Sequence, residues 1–370
     1  MDQKSSKLYI GLDVHKESID IAVAEEGGEV RHHGQVGGDA NALWRAVRKL
    51  ESSGRKLVFV YEAGPCGFGI YRGLIGRGHA CWVVAPSNTP RRVRDRIKTD
   101  RRDSVKLAGL ARAGELTPIY VPDVSDEAMR DLVRAREDAV VMQRQARQRL
   151  AALLLRNDVR YGGKTAWTAV HRRWIADVRL AQPAQRLAFE EYVQAVEEAM
   201  VRVERLTGYI VQEVAPWRWL PVVNALQACR GIQLLHAVRI VAELGDLSRF
   251  SHPRQLMSYL GLIPSEDSSG ERRRQGSITK AGNGSVRRAL VEAAWAYQYT
   301  AKVSGLIARR QVKVPKAALD IAWKAQVRLC GRYRRLIARG KKTPVVTTAI
   351  ARELSAFLWA IGQQVAPKTG

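Results

Sequence analysis

Cysteine is scarce and scattered. Cys66, Cys81, Cys229 and Cys330 are the only four, and no two form a CxxC pair. That argues against structural zinc and suits a reducing cytoplasm. Long hydrophobic runs are also missing. No stretch of about 18 uncharged apolar residues occurs, so no membrane span is expected. The amino terminus, Met1-Asp2-Gln3-Lys4-Ser5-Ser6-Lys7, has no apolar segment ahead of a small-residue cleavage site and does not read as a signal peptide.

Acidic residues are the other shortage. The 370 residues include 36 Asp and Glu against 61 Lys and Arg, a net charge of +25. A chain this basic implies a polyanionic partner, most commonly nucleic acid. Anionic lipid is the weaker alternative, because no basic amphipathic anchor helix is evident. The length suggests about two or three domains, and 46% apolar residues are enough for a sizeable core.

The stretch Tyr9-Ile10-Gly11-Leu12-Asp13-Val14-His15-Lys16 reads as a buried strand carrying one carboxylate. A lone buried carboxylate is costly and needs a partner, and a divalent metal is one candidate. A strand-end Asp that caps a turn is the plain alternative. Leu8–Val14 and Ile19–Ala24 read as a hairpin, with Gln35–Gly37 as a short third strand. Helical spacing covers Ala42–Leu50. Leu57–Tyr61 is a short buried strand that runs directly into Glu62. A turn follows, then a helix through Tyr71–Ile75 and a strand at Ala80–Ala85. Strands first, then alternating helix and strand, argue for an α/β mixed sheet.

From residue 85 to 115 there are nine basic residues, including Arg91, Arg92, Arg101 and Arg102. Asp100 and Asp103 lie among them, just before the helical pattern Val105–Leu110. On a helix, positions three apart share a face. Two such acids fit a metal site on a phosphate track, or ordinary pairing with arginine at a helix start. Taken together, Asp13 in a strand, Glu62 at a strand end, and Asp100 and Asp103 on a following helix have the layout of an RNase H-like (RuvC-like) nuclease core. Two magnesium ions clamping a phosphodiester need several carboxylates. A dinucleotide-binding reading is weaker, because Gly64–Gly69 lacks the GxGxxG spacing.

Past Ser125 the pattern turns helical. Leu132, Ala135, Ala139, Met142, Ala146, Leu150 and Leu153 recur at a helical period. A second helix spans Gln185–Val214, with Thr207 in one slot of its seam. The pair suggests an antiparallel coiled coil or a bundle packed on the core. Leu226–Leu244 resembles a helix-hairpin-helix element, in which backbone N–H groups at the turn meet a phosphate, although Cys229-Arg230 stand where Ile-Pro is typical; a plain helix–turn–helix packing unit is the alternative. The segment Gly261–Gly270 is a polar serine-rich loop. It reads either as a plain loop or as a mobile carrier of a nucleophilic serine. Arg272, Arg273, Arg274 and Lys280 would neutralise phosphoryl charge there. Ser285 is a plausible helix cap. A basic helix, Trp323–Arg339, and an amphipathic helix, Val345–Ile361, close the chain.

Six groups of residues resemble one family: Gly11–Lys16, Tyr61–Gly64, Lys98–Asp103, Gly261–Pro264, Ser269-Gly270, and Lys280–Asn283 with Val286-Arg287. In this order they are similar to the DEDD-type insertion-sequence transposases, bridge-RNA-guided serine recombinases. The resemblance implies an α/β plus α architecture. It has a RuvC-like domain (1–124), a helical coiled-coil insertion (125–215) and a mainly helical serine-bearing transposase domain (216–370). It implies Asp13, Glu62, Asp100 and Asp103 as ligands of Mg2+. Ser269 would be the nucleophile that forms a phosphoserine and frees a 3′ hydroxyl, with Ser268 and Ser277 as fallbacks. Arg91, Arg92, Arg101, Arg102, Arg272, Arg273, Arg274, Lys280 and Arg287 would contact nucleic acid. Implied partners are donor and target DNA, a structured guide RNA, and further copies of the chain in a dimer of dimers. The implied location is the bacterial nucleoid. The competing reading is a metal-only nuclease or resolvase in which water attacks.

Overall fold

Leu8, Ile10 and Leu12 alternate with Tyr9, Gly11 and Asp13, a period of two that gives a strand two distinct faces. The computed structural model describes residues 7–87, 89–90, 99–266 and 275–367, and it divides into two compact units, 1–121 and 122–370.

In the first unit that strand is β1 (Lys7–Val14), followed by β2 (Ser18–Glu25), β3 (Val30–Gly37), α1 (Ala40–Glu51), β4 (Lys56–Glu62), α2 (Gly69–Ile75), β5 (Ala80–Val84) and α3 (Asp100–Arg112). Among the described residues they form one five-stranded sheet in the order β3-β2-β1-β4-β5. β1, β2 and β3 are antiparallel neighbours, while β4 and β5 run parallel to β1. Short polar turns suffice for the first three. The parallel strands need crossovers, which α1 and α2 provide. This mixed sheet with helices is compatible with an RNase H-like fold. The third strand is eight residues long, not the short one expected at Gln35–Gly37. Its burial alternates between intermediate and exposed, so it lacks the apolar run that would have marked it.

One face of the sheet buries Leu8, Ile10, Leu12, Phe59 and Tyr61 with Leu43, Val47 and Leu50 of α1 and Leu74 of α2. The other face carries small residues. Ala22, Ala24 and Ala108 pack together, and a Cβ added at Gly11 would stand 2.6 Å from Ala108 N and closer still to Ser104 O. Glycine at 11 therefore lets α3 lie backbone-close on β1. Buried Asp20 is satisfied by His32 Nε2 and Gln35 Nε2, each 2.8 Å away.

The second unit starts with α4 (Val124–Arg156), α5 (Ala169–Asp177) and α6 (Pro183–Val214). α4 and α6 form an antiparallel hairpin. Met129 and Val133 share a core with Ile210 and Val214, whereas Leu150 and Leu153 share one with Phe189 and Val196. Arg136 Nε donates to Thr207 Oγ1 at 2.7 Å, so the polar slot in the seam is filled. α5 lies in the connection between the two long helices. At the foot of the hairpin, buried Asp126 accepts from Trp217 Nε1 at 2.8 Å and Trp219 Nε1 at 3.0 Å, and pairs with Arg218.

The remainder of this unit is α7 (Leu220–Leu226), α8 (Leu234–Leu244), α9 (Pro253–Tyr259), the hairpin β6 (Pro264–Glu266) and β7 (Gln275–Ile278), α10 (Gly284–Ala294), α11 (Gly305–Gln311), α12 (Lys316–Ala338) and α13 (Thr343–Gly362). α13 is apolar and long enough to cross a membrane by length and composition. Its Val346, Ile350, Leu354, Leu358 and Ile361 are all buried in the core of this unit, which accounts for the apolarity.

Candidate metal centre

Register brings the first two carboxylates together. The parallel pairing of β1 and β4 sets Leu12 beside Tyr61, and Asp13 and Glu62 are the next residues along. Because Leu12 and Tyr61 face the α1–α2 core, Asp13 and Glu62 face the α3 side. Asp13 is the penultimate residue of its strand and half-buried, not mid-strand and fully enclosed. Thr89 Oγ1 donates to Glu62 Oε1 at 2.8 Å and holds that carboxylate.

α3 supplies the other two. Thr99 caps it by accepting from Arg102 N, and the helix starts at Asp100 itself, one turn earlier than its apolar pattern suggests. Asp100 and Asp103 thus occupy the first turn, where the helix dipole favours negative charge. The tight seat of α3 on Gly11 carries this turn to the end of β1. There, His15 Nε2 lies 3.2 Å from Asp13 Oδ2 and 3.5 Å from Asp100 Oδ1. Ligand atoms of Asp13, His15 and Asp100 all fall within 4.8 Å of one another.

The electrostatics match a cation site. Burial pushes the Asp13 carboxyl above the ordinary Asp range; His15 draws it back down, and the nearby charges of Asp103 and Asp100 push it up again. A divalent cation would relieve that crowding. The donors are mainly carboxylate oxygens, the set a hard cation such as magnesium or calcium takes. The residues present therefore fit a divalent metal: Asp13, His15 and Asp100 would hold it, while Glu62 and Asp103 lie outside that close group.

Several expected residues stand elsewhere. Arg101 and Arg102 are exposed on the first turn of α3. Lys280 is exposed with a positive φ of 57°. Arg287 Nη1 donates to Leu260 O at 2.8 Å and Ala281 O at 3.0 Å, so this nitrogen straps the foot of the β6–β7 hairpin. Asn283, not Ser285, caps α10, accepting from Val286 N at 2.9 Å; Ser285 Oγ instead donates to Glu137. Asn283 Nδ2 also donates to buried Glu243 at 2.7 Å, where Arg134 binds through two nitrogens. Ser277 lies exposed on β7. Ser268, Ser269, Arg272, Arg273, Arg274, Arg91 and Arg92 lie outside the described residues.

Two neighbours of the acids were not foreseen from the sequence. His15 stands two residues after Asp13, and strand periodicity could have flagged it. Thr89 lies in the segment after β5, and no local pattern links it to Glu62.

Comparison with known proteins places the chain. A DEDD transposase family model of the IS110 type matches residues 10–157, a range that includes all four carboxylates. A model described as the transposase IS116/IS110/IS902 family matches residues 223–306. A putative transposase y4qE of Sinorhizobium fredii is 46% identical over 98% of this chain and 90% of its own length. The chain belongs to the IS110 family of transposases. The transposase for insertion sequence element IS1533 of Leptospira borgpetersenii is 30% identical over 91% of this chain and 98% of its own. The transposase for insertion sequence element IS1111A of Coxiella burnetii is 24% identical over 76% and 74%. This transposase is accordingly an enzyme acting on DNA, and its DEDD domain implies the use of a divalent metal.

Proposed function

We propose that this transposase breaks and rejoins DNA strands by magnesium-dependent transesterification, with Ser269 as nucleophile and a structured non-coding RNA as guide. The observation that carries the reading is the convergence of Asp13, His15 and Asp100 at the carboxyl end of the inner strand β1, with Glu62 ending the adjacent strand β4 and the charge of Asp103 nearby. Asp13, Glu62, Asp100 and Asp103 hold the metal in this RuvC-like domain. When bound, magnesium polarises the phosphoryl group and neutralises charge on the attacking and leaving oxygens. His15 orients Asp13 and Asp100 by bridging them.

The Ser269 hydroxyl gives up its proton as Oγ bonds to phosphorus. The bond from phosphorus to O3′ breaks, and O3′ departs as a hydroxyl carrying a proton. The 5′ phosphate stays on the serine until a different 3′ hydroxyl attacks it and restores a strand. Arg272, Arg273, Arg274 and Lys280 offset the phosphoryl charge on the serine side, and Arg91, Arg92, Arg101 and Arg102 track the backbone on the metal side. The modules are 1–124, 125–215 and 216–370, and the turn at Gly231 serves as a helix-hairpin-helix phosphate contact. The working form is a homo-oligomer, a dimer of dimers, on the nucleoid.

Trapping decides the chemistry. Incubation with donor DNA and magnesium yields a protein–DNA adduct in the parent and none in Ser269→Ala. An adduct that persists in Ser269→Ala dismisses this serine. Cleavage that continues without any adduct favours attack by water instead. Sequencing RNA that co-purifies from the host tests the guide: one recurrent short species supports it, and random fragments refute it.

A further inference from the structure

Between Trp295 and Lys342 the chain carries thirteen Lys and Arg against one acid, Asp320. Part of that charge is spent internally. Arg328 and Arg332 pair with Glu353 of α13, and Arg310 Nη1 donates to Ile232 O. Lys302, Lys324 and Arg334 are exposed. Large apolar groups stand among them. Trp323 and Val327, one turn apart on α12, are 47% and 50% exposed, and Tyr299 is 64% exposed.

These residues share a place. Trp323, Val327 and Arg334 lie exposed along one stripe of α12, with buried Cys330 between the last two. Arg230 Nη1 donates to Thr300 O at 2.7 Å and lies 3.7 Å from Cys330 Sγ, so the residue after Tyr299 is held beside that stripe. An exposed aromatic patch of this kind marks a binding surface. A second copy of the chain is a poor occupant, because it would bring the same excess of positive charge. A polyanion with its own flat apolar groups fits both features. Unpaired nucleotides are such a partner: bases stack on aromatic rings while phosphates meet Lys and Arg. A duplex keeps its base faces stacked inside.

We propose that this face of α12, with Tyr299 beside it, binds single-stranded RNA, stacking bases on Trp323 and Tyr299 while Lys302, Lys324 and Arg334 hold phosphates. The choice of an unpaired strand rests on the surface itself; the choice of RNA over DNA rests on the guide-RNA reading. The surface lies largely beyond the segment the IS116/IS110/IS902 model matches.

The test uses the full chain and a short synthetic oligouridine carrying 4-thiouridine. Photo-cross-links are expected on the peptides that bear Tyr299 or Trp323. Trp323→Ala weakens oligouridine binding about tenfold or more, Trp323→Phe restores most of it, and affinity for duplex RNA stays unchanged. Arg334→Gln lowers the slope of log affinity against log salt by about 0.7. Cross-links confined to other regions, or undiminished binding by Trp323→Ala, overturn the proposal. Preference for oligothymidine at the same residues overturns the RNA assignment. Loss of self-association in Trp323→Ala would make a second copy the occupant and overturn it as well. Because the probe is synthetic, its binding is independent of whether a guide RNA co-purifies.

Discussion

Gly11→Ala should cripple this enzyme although Gly11 carries no chemistry. The added Cβ would stand 2.6 Å from Ala108 N and nearer still to Ser104 O, whereas real Cβ contacts stay beyond 3.0 Å. Both obstacles are backbone of α3, which cannot rotate aside as a side chain would. The helix must retreat from β1 as a body, and Asp100 and Asp103 ride on its first turn. Overpacking of this kind costs about 3 kcal/mol, the upper part of the usual range. For a unit of this size that is roughly a 10 °C fall in melting temperature. A displacement near 1 Å at the carboxylates removes on the order of 100-fold in cleavage rate. Gly109→Ala is the matched control. It lies on the same helix, and its Cβ would meet only Val30 Cγ2, at 3.5 Å. Replacing that helical glycine should gain about 0.5–1 kcal/mol and leave cleavage intact. Thermal melts and magnesium-dependent strand cleavage, run side by side on both variants, decide the matter. A Gly11→Ala protein that melts and cleaves like the parent would refute the claim that close seating of α3 builds the site.

Three further outcomes are expected. Burial and neighbouring acids raise the Asp13 carboxyl, so above the ordinary Asp range its charge opposes folding. Asp13→Asn should therefore melt higher than the parent in chelator at neutral pH and lose the rise that magnesium gives the parent; a lower melting point in chelator contradicts this. Glu243 behaves in the opposite sense. Burial pushes its carboxyl up, but Arg134, Asn283 and Arg130 together pull it below the ordinary Glu range. Its contribution is present above that range and lost as pH falls through the lowered value. Glu243→Gln should cost about 2–3 kcal/mol at neutral pH and flatten the acid limb of urea-unfolding midpoints measured from neutral pH down through and below the ordinary Glu range. Asp126→Ala leaves two buried indole N–H groups unpaired and should cost roughly 3–5 kcal/mol by denaturant titration, whereas a loss under 1 kcal/mol would show that water replaces the carboxylate.

Period-two and period-3.6 patterns carried most of the fold. The β1–β2 hairpin, the strand ending at Glu62 and the two long helices α4 and α6 stand where apolar spacing puts them, because each buries one continuous face. Elements without such a face were missed or, in the case of β3, expected only at Gln35–Gly37. β3 alternates between half-buried and exposed, α5 is short and basic, and β6 and β7 are brief strands in a polar segment. Their formation depends on partners distant in sequence. The same holds for Asn283, which took the cap expected of Ser285 because Ser285 is engaged by Glu137 from α4.

By itself the order of residues marked Asp13, Glu62, Asp100 and Asp103 as candidates, since they combine strand ends and a helix start with a basic surround. It also determined the excess positive charge that demands a polyanion. The meeting of Asp13 with Asp100 and His15 was decided in three dimensions. Parallel register set Glu62 beside Asp13, and small residues at 11, 22, 24 and 108 let α3 close on the sheet. The roles of His15 and Thr89 arose there too, because a hydrogen bond depends on distance in space and not on separation along the chain.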